Sequence, residues 1–155
     1  MSLSSIQYFL EPINIAHISK DEGYRDTQLG KHIKVNEGSL PDIMDADIVI
    51  IGAGECRGAG YALHGHTAAN AIRTALYDLY YWHAQVNVVD IGNVKIGQSI
   101  QDSYAALRTV ISELLLQNKK IVIIGGAHDL TLAQYHAYTS IPTLVNAVVV
   151  DAKID

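Results

Sequence analysis

Residues 120–138, KIVIIGGAHDLTLAQYHAY, form the stretch of sequence that decides the fold. A continuous apolar run leads into the glycine pair at 125–126, and residues with helical spacing follow. Continuous apolar runs of this length are typical of strands that are covered on both faces, as in a parallel sheet. The stretch is therefore predicted to be a strand, a sharp turn, and a helix that begins near His128 or Asp129 and stops before Pro142.

Three other apolar runs have the same form, since each is rich in Val and Ile and ends near a Gly or an Asp. Longer segments separate the runs, which is the alternation expected of successive βαβ units. The predicted fold class is therefore α/β, with three αβα layers and a parallel sheet. Its four adjacent parallel strands are expected at DIVIIGAG (47–54), VNVVDIG (86–92), KIVIIGG (120–126) and NAVVVDA (146–152).

The segments between the runs have apolar residues at helical spacing. One helix is predicted over residues 67–84 and a second over about 99–118. The apolar face of the first is expected to consist of Ala71, Ala75, Leu76 and Leu79. Residues 1–44 are predicted to be an irregular lead-in, and the whole chain, 1–155, is predicted to be a single α/β domain.

Composition and charge narrow the classes of function. Hydrophobic residues make up 49% of the chain and charged residues 17%, as in a globular protein. The net charge of −5 and the lack of a basic run argue against nucleic acid, and no apolar stretch approaches the roughly 20 residues that span a bilayer. The N-terminus lacks the features of a secretory signal, and the one cysteine, Cys56, suits a reducing compartment. We expect a cytoplasmic protein without nucleic-acid or membrane partners.

The first strand end, IIGAGECRGAG (50–60), shares two glycines, Gly52 and Gly54, with a dinucleotide fingerprint. Arg57 occupies the third glycine position. The helix starts only near Thr67, too late to direct its N-terminus at a pyrophosphate. A loop that borders a cleft is favoured over a nucleotide-binding module.

Two further positions have ordinary structural explanations. His64 and His66 form an H-x-H pair without a nearby Cys or carboxylate to complete a metal site, so exposed or packing histidines are favoured. Asp90 lies near the end of the second apolar run and is expected to be a turn or cap residue.

The last two strand ends carry metal-type ligands. His128 lies where a strand meets a helix, with a locally hydrogen-bonded histidine as the alternative. If the chain stays extended after Asp151, then Asp151, Lys153 and Asp155 face the same side. Two carboxylates near an imidazole suit Mn²⁺ or a similar ion, and a polar surface with an ion pair is the alternative.

The motif GGAH at 125–128, followed by VVVDAKID at 148–155, resembles the motifs of the ureohydrolases, which include arginase, agmatinase and formimidoylglutamase. The stretch IGAGECRGAGYALHGHTAANAIRTALYDLYYW (51–82) is also similar to that family, with the formimidoylglutamase branch as the best match. The resemblance begins at about residue 45 and implies the N-terminal half of an arginase-like fold. A third family motif, with further aspartates, has no counterpart in this sequence.

The resemblance also implies a function, the hydrolysis of a C–N bond in a guanidino or formimino amino acid by water activated between two manganese ions. By the same resemblance His128 matches a histidine that binds one manganese. Asp151 matches the aspartate that bridges both ions, and Asp155 matches a ligand of the same ion as His128. Ala127 stands where arginases usually have Asp.

Lys153 departs from the family motif, because it occupies the position of the histidine that binds the second ion. A protonated lysine has no lone pair to donate to a metal, and the carboxylates of Asp151 and Asp155 favour the protonated form. We therefore expect Lys153 to replace a cation. At most one weak manganese site should form, and the chain by itself should show no turnover.

Three hypotheses follow from these observations: a metal-dependent hydrolase, a non-catalytic ligand-binding or assembly protein of the same fold, and a nucleotide-binding α/β module. Half of a ureohydrolase sheet would expose an apolar strand edge, so a homo-oligomer that binds a small molecule is expected.

Overall fold

The computed structural model describes residues 3–19, 23–63, 65–139, 141–142 and 144–152. Three parallel strands form the centre of the sheet: β3 (Ile48–Ala53), β4 (Val88–Val94) and β5 (Lys120–Ile124). β3 lies in the middle and pairs with both of the others. Three of the four predicted strands, and the parallel sheet itself, are thereby confirmed.

Two short strands extend the sheet at the other edge of β4. β1 (Leu10–Glu11) pairs with its end in antiparallel orientation, and β2 (Lys34–Val35) pairs with its first half in parallel orientation. Two short helices, α1 (Leu3–Ile6) and α2 (Leu29–His32), lie in the same N-terminal part of the chain. Residues before β3 therefore contribute small elements that widen a sheet built by the later runs.

Three longer helices connect or follow the central strands: α3 (Thr67–Tyr77), α4 (Ile100–Leu116) and α5 (Leu130–Tyr138). α4 begins at a capping box, in which Ser99 and Asp102 satisfy each other's backbone N–H groups. It buries Leu107, Ile111 and Leu114 against one face of the sheet. The predicted second helix and its apolar spacing are confirmed.

The two faces of β3 contact different layers, because side chains alternate along a strand. Val49 and Ile51 belong to the core under α4 and α5, whereas Ile50 packs with Tyr77 of α3. Helices therefore cover both faces of a mostly parallel sheet. The three-layer αβα architecture is the one that the sequence predicts.

The predicted face of the first helix is wrong for three of its four residues, since Leu76 packs against the core whereas Ala71, Ala75 and Leu79 are exposed. The residues that α3 buries are Ala69, Arg73 and Tyr77, which repeat every four residues. Because Arg73 is one of the buried residues, the spacing of apolar residues alone does not identify the buried face of this helix. The helix also ends at Tyr77 rather than at residue 84, and the segment that follows exposes Tyr80 and Trp82.

The fourth predicted strand, at 146–152, is not a strand in this structure. Residues 146–152 lie outside any helix or strand, and Val148, Val149 and Val150 are 89%, 74% and 96% exposed. A strand requires a neighbour that takes its backbone hydrogen bonds, and none of the described residues pairs with this run. Within the described part of the chain, no helix is long and apolar enough to cross a membrane.

Candidate metal-binding site

The carboxyl edge of the sheet brings His128 and Asp151 together. His128 follows Gly125 and Gly126, whose φ angles of +82° and +77° turn the chain sharply away from β5. A side chain at Gly126 would have its Cβ 2.9 Å from the carbonyl oxygen of Ala53, so this turn also requires a close backbone approach. The His128 Nδ1 atom lies 3.8 Å from Asp151 Oδ2.

These two side chains are suited in type and spacing to one divalent cation. Imidazole nitrogen and carboxylate oxygen are ligands that a manganese ion accepts. Their side chains are 56% and 37% exposed, which leaves them accessible to an ion and to a small molecule. Among the described residues no group of three or more His, Cys, Asp or Glu side chains converges on a metal position. Lys153 and Asp155, the other residues of the predicted set, lie outside the described residues.

Glu55 forms a buried hydrogen-bonded centre next to this edge, just beyond Gly54 and the end of β3. Its carboxylate accepts hydrogen bonds from the backbone N–H groups of Cys56 and Arg57, from the Arg57 guanidinium, and from the hydroxyl of Ser103. The two salt-bridge atoms, Arg57 Nη2 and Glu55 Oε2, are 2.7 Å apart. The Arg57 guanidinium and the Ser103 hydroxyl hold the pKa of Glu55 down at about 2.

The same cluster connects three loops at the carboxyl edge. Arg57 donates to the carbonyl oxygens of Gly97 and Gln98, at 2.9 and 2.8 Å, in the loop that follows β4. The carbonyl oxygen of Glu55 accepts the N–H of Ala127, at 3.0 Å, in the loop that follows β5. We name Glu55, Arg57 and Ser103 the edge clamp, because they join the exits of all three central strands.

Asp129 lies beside His128 and is bound by a neighbouring helix. The Tyr104 hydroxyl of α4 donates to Asp129 Oδ2, and this hydrogen bond raises the pKa of Tyr104 to about 12. A side chain at Gly58 would collide with both of these groups. Asp129 occupies the N-cap position of α5 but makes no side-chain capping bond there. The Asp129 carboxylate therefore joins the start of α5 to α4.

His66 is a packing residue that pairs with an N-terminal carboxylate. Its Nε2 atom lies 3.3 Å from Glu11 Oε2, and its Nδ1 atom is buried without a hydrogen-bond partner. Burial lowers the pKa of His66, although Glu11 acts in the opposite direction. His64, the other half of the H-x-H pair, lies outside the described residues.

Asp90 is not the turn or cap residue that the sequence suggests. It lies within β4, fully buried, and its carboxylate accepts two hydrogen bonds from Arg73 at 2.8 and 2.9 Å. The Tyr77 hydroxyl and the N–H of Gly92 also donate to it. Arg73 completes its own bonding with Asn93 Oδ1 at 2.6 Å. β4 therefore continues past Asp90, because α3 supplies the charge that a carboxylate needs inside the sheet.

The loop after β3 does not have the geometry of a dinucleotide site. α3 begins at Thr67, ten residues beyond Arg57, and the intervening chain crosses over Gly54, where a Cβ would collide with the backbone of Gly65. Arg57 is committed to Glu55 and to two carbonyl oxygens. These observations favour the loop interpretation over the nucleotide-binding module.

Sequence reasoning missed the edge clamp. In the sequence Arg57 stands out only as a departure from a glycine pattern, and Glu55 and Ser103 belong to no motif. A usable signal is present, because an acid directly after a buried strand and an arginine two residues later are both costly there unless they pair. Ser103 has no comparable local signal, because its contact with Glu55 spans 48 positions.

These features are those of an α/β protein with two candidate metal ligands, His128 and Asp151, at the carboxyl edge of its sheet. Residues 46–155 match the model of the arginase family, and the chain belongs to that family. A comparison with curated proteins returns no match.

Several solved structures share the fold. Formiminoglutamase of Trypanosoma cruzi with Mn²⁺ is 22% identical over 67% of this chain, with a TM-score of 0.59 and 39% of its own length covered. An arginase superfamily protein from the same organism is 19% identical over 66% of this chain, with a TM-score of 0.55 and 41% coverage. The agmatine ureohydrolase of Thermoplasma volcanium is 16% identical over 74% of this chain, with a TM-score of 0.54 and 39% coverage. This chain therefore spans about two fifths of the length of these structures.

Proposed function

We propose that this arginase-family chain binds one divalent cation, manganese by family, through His128 and Asp151. The proposed substrate is a guanidino or formimino amino acid, held near the ion at the carboxyl edge of the sheet. The observation that carries this proposal is the 3.8 Å approach of His128 Nδ1, in the loop after β5, to Asp151 Oδ2, in the segment after α5. Ligands of open α/β sheets bind at this edge.

The roles of the chain's own residues follow from their chemistry. His128 would donate a ring nitrogen and Asp151 a carboxylate oxygen, with Asp155 as a third proposed ligand from the sequence motif. Manganese, when bound, supplies a Lewis acid for the attack of water on a C–N carbon. The exposure of both described ligands leaves the substrate side of the site open.

Lys153 limits the proposal to one ion. The protonated ammonium group of a lysine has three N–H donors and no lone pair to offer a metal. Its positive charge also repels a second cation at short range. The chain by itself is therefore proposed to lack two-metal hydrolysis. The alternative that this residue favours is a non-catalytic protein, which keeps the fold and a ligand site without turnover.

Calorimetric titration with MnCl₂ tests the metal site. We expect one weak site in the unmodified chain and loss of binding in His128→Ala. The matched control is His136→Ala, which removes an exposed histidine of α5 and should leave binding unchanged. Binding that survives His128→Ala, or two tight ions in the unmodified chain, would contradict the proposal.

Turnover assays separate the hydrolase from the non-catalytic alternative. Formiminoglutamate, arginine and agmatine are offered to the unmodified chain and to Lys153→His with excess MnCl₂. We expect no hydrolysis by the unmodified chain and a second bound ion in Lys153→His. Hydrolysis by the unmodified chain would establish the enzyme and remove the role proposed for Lys153.

We also propose that the chain forms a homo-oligomer. Among the described residues, β5 pairs with β3 on one side and with no strand on the other, and the valines at 148–150 are exposed. Open strand edges and apolar patches favour association. Light scattering at tens of micromolar protein should show a mass above 16.9 kDa, and a stable monomer would contradict this proposal.

A further inference from the structure

The loop that carries His128 is seated on the backbone that follows β3. The Ala127 N–H donates to the Glu55 carbonyl oxygen at 3.0 Å, one residue before His128. A Cβ at Gly126 would lie 2.9 Å from the Ala53 oxygen and 3.1 Å from the Glu55 oxygen, so the two backbones are in close contact. The position of His128 therefore depends on where residues 53–55 are held.

The sheet holds Ala53, which pairs with Val94, whereas the edge clamp holds Glu55. β3 ends at Ala53, so Glu55 lies beyond the ladder of strand hydrogen bonds. Its side chain is only 3% exposed and accepts from Cys56, Arg57 and Ser103. Charge-assisted hydrogen bonds of this kind are stronger and more directional than neutral ones. The carboxylate thus replaces the sheet as the support of this loop.

Arg57 extends that support to the loop after β4. Its guanidinium reaches the Gly97 and Gln98 carbonyl oxygens while it binds Glu55, and the Gly97 N–H donates to the Ser103 hydroxyl at 2.9 Å. A planar guanidinium with five donors in fixed directions can satisfy these acceptors together, whereas a lysine ammonium cannot. Displacement of either Glu55 or Arg57 would therefore release both the loop after β3 and the loop after β4.

We propose that Glu55 and Arg57 are positioning residues, which hold the peptide before His128 so that its imidazole faces Asp151. This inference rests on the metal-binding role proposed above for His128. Neither residue is proposed to touch the ion or the substrate. Their effect passes through the backbone hydrogen bond from Ala127 to Glu55 and through the close backbone approach at Gly126.

The test compares Glu55→Gln and Arg57→Lys with Asp90→Asn, which weakens the other buried arginine–carboxylate pair. One readout is the exchange rate of the Ala127 amide hydrogen relative to that of Ile111 in the core, which cancels a global loss of stability. The other is the dissociation constant of Mn²⁺, from paramagnetic broadening of the His128 ring signals. Arg57→Lys is the milder variant, because the Arg57 side chain is 25% exposed.

Both clamp variants should raise the exchange ratio and the Mn²⁺ dissociation constant about tenfold, the effect of one lost charge-assisted hydrogen bond. Asp90→Asn should leave both within about twofold of the unmodified chain. An unchanged exchange ratio in the clamp variants, or an equal rise in Asp90→Asn, would overturn the inference. If the unmodified chain binds no manganese, the proposed function fails, and the exchange ratio alone still decides whether the clamp positions this loop.

Discussion

The Arg73–Asp90 pair and the Arg57–Glu55 pair are made of the same chemical groups but differ in depth and in what they connect. The first is fully buried and joins α3 to β4, with side-chain exposures of 0% for both members. The second lies at the sheet edge, where the arginine is 25% and the glutamate 3% exposed, and its further bonds reach the loop after β4 and Ser103 of α4.

Because their surroundings differ, the two pairs are expected to have different structural roles. A buried pair that loses one member leaves an uncompensated charge in the core, which destabilises a protein by several kcal/mol. A pair at the edge can keep some contact with water, so its loss costs less stability. Loss of the edge pair is expected to change mainly the geometry of the loops. The buried pair therefore supports the fold, and the edge pair supports the candidate site.

The largest effect is expected for Arg73→Met. Asp90 would keep only Tyr77 and the Gly92 N–H as partners, and the free energy of unfolding should fall by about 3–5 kcal/mol. This free energy can be measured by urea denaturation, with circular dichroism as the signal. Arg108→Met, at an exposed position of α4, is the control and should change stability by less than about 0.5 kcal/mol. If the free energy of unfolding fell by less than about 1 kcal/mol in Arg73→Met, the buried pair would not support the fold as described.

A smaller effect is expected from acid on the edge clamp. The pKa of Glu55 is lowered from 4.5 to about 2, so the folded state holds its proton less tightly than the unfolded chain. The resulting stability is fully present above about pH 4.5 and is lost as the pH falls toward 2. With a discount for the exposure of Arg57, it amounts to about 2–3 kcal/mol.

Urea denaturation at several pH values, on the unmodified chain and on Glu55→Gln, measures this term. The difference in stability between them should be largest at neutral pH and should shrink between pH 4.5 and pH 2. A difference that stays constant over that range would mean that the Glu55 carboxylate is not held in its charged form by Arg57.

Ser103→Ala should cost about 1–2 kcal/mol, since it removes one hydrogen bond to the Glu55 carboxylate and one from the Gly97 N–H. Chemical denaturation of the variant at neutral pH provides the value. Ser103→Cys, which keeps a weak donor, should recover part of the loss. An equal loss in both variants would indicate packing rather than hydrogen bonding at this position.

The smallest effect is expected for Ser99→Ala, four residues earlier at the exposed capping box of α4. Loss of its bonds to Asp102 should cost about 1 kcal/mol. A thermal melt detects this change. The exchange rate of the Ala127 amide relative to Ile111 should stay constant, because the Ser99 hydroxyl bonds to Asp102 and the Ser99 carbonyl, which accepts the Ser103 N–H, is retained in the variant. A change in that ratio would place Ser99 within the clamp.

The sequence predicts the elements whose stability is local or repetitive. The runs that became β3, β4 and β5 are continuous in Val and Ile, and the apolar spacing of α4 identifies its buried face. The run at 146–152 has the same composition but no described neighbour. Composition measures the tendency to form a strand, whereas the strand itself depends on a partner's backbone.

The polar interior of the molecule could not be predicted in the same way. Arg73 reads as a solvent-facing residue of a helix, and Asp90 reads as a turn residue, until the fold brings them together. Each is unfavourable in the core alone and acceptable only as a pair. The position of His128 at a strand end was predictable from its glycine pair. The support of this loop by Glu55 was not predictable, because the contact is a hydrogen bond between backbone atoms, which are the same in almost every residue type.

Trp82 has a consequence for how unfolding of this protein is observed. It is the single tryptophan of the chain, its side chain is 74% exposed, and its ring lies 3.8 Å from that of His83. An indole that already faces water changes its surroundings little when the chain unfolds. Tryptophan fluorescence should therefore follow the local contact with His83, while Tyr77, buried against Asp90, is the chromophore whose absorbance reports loss of the core.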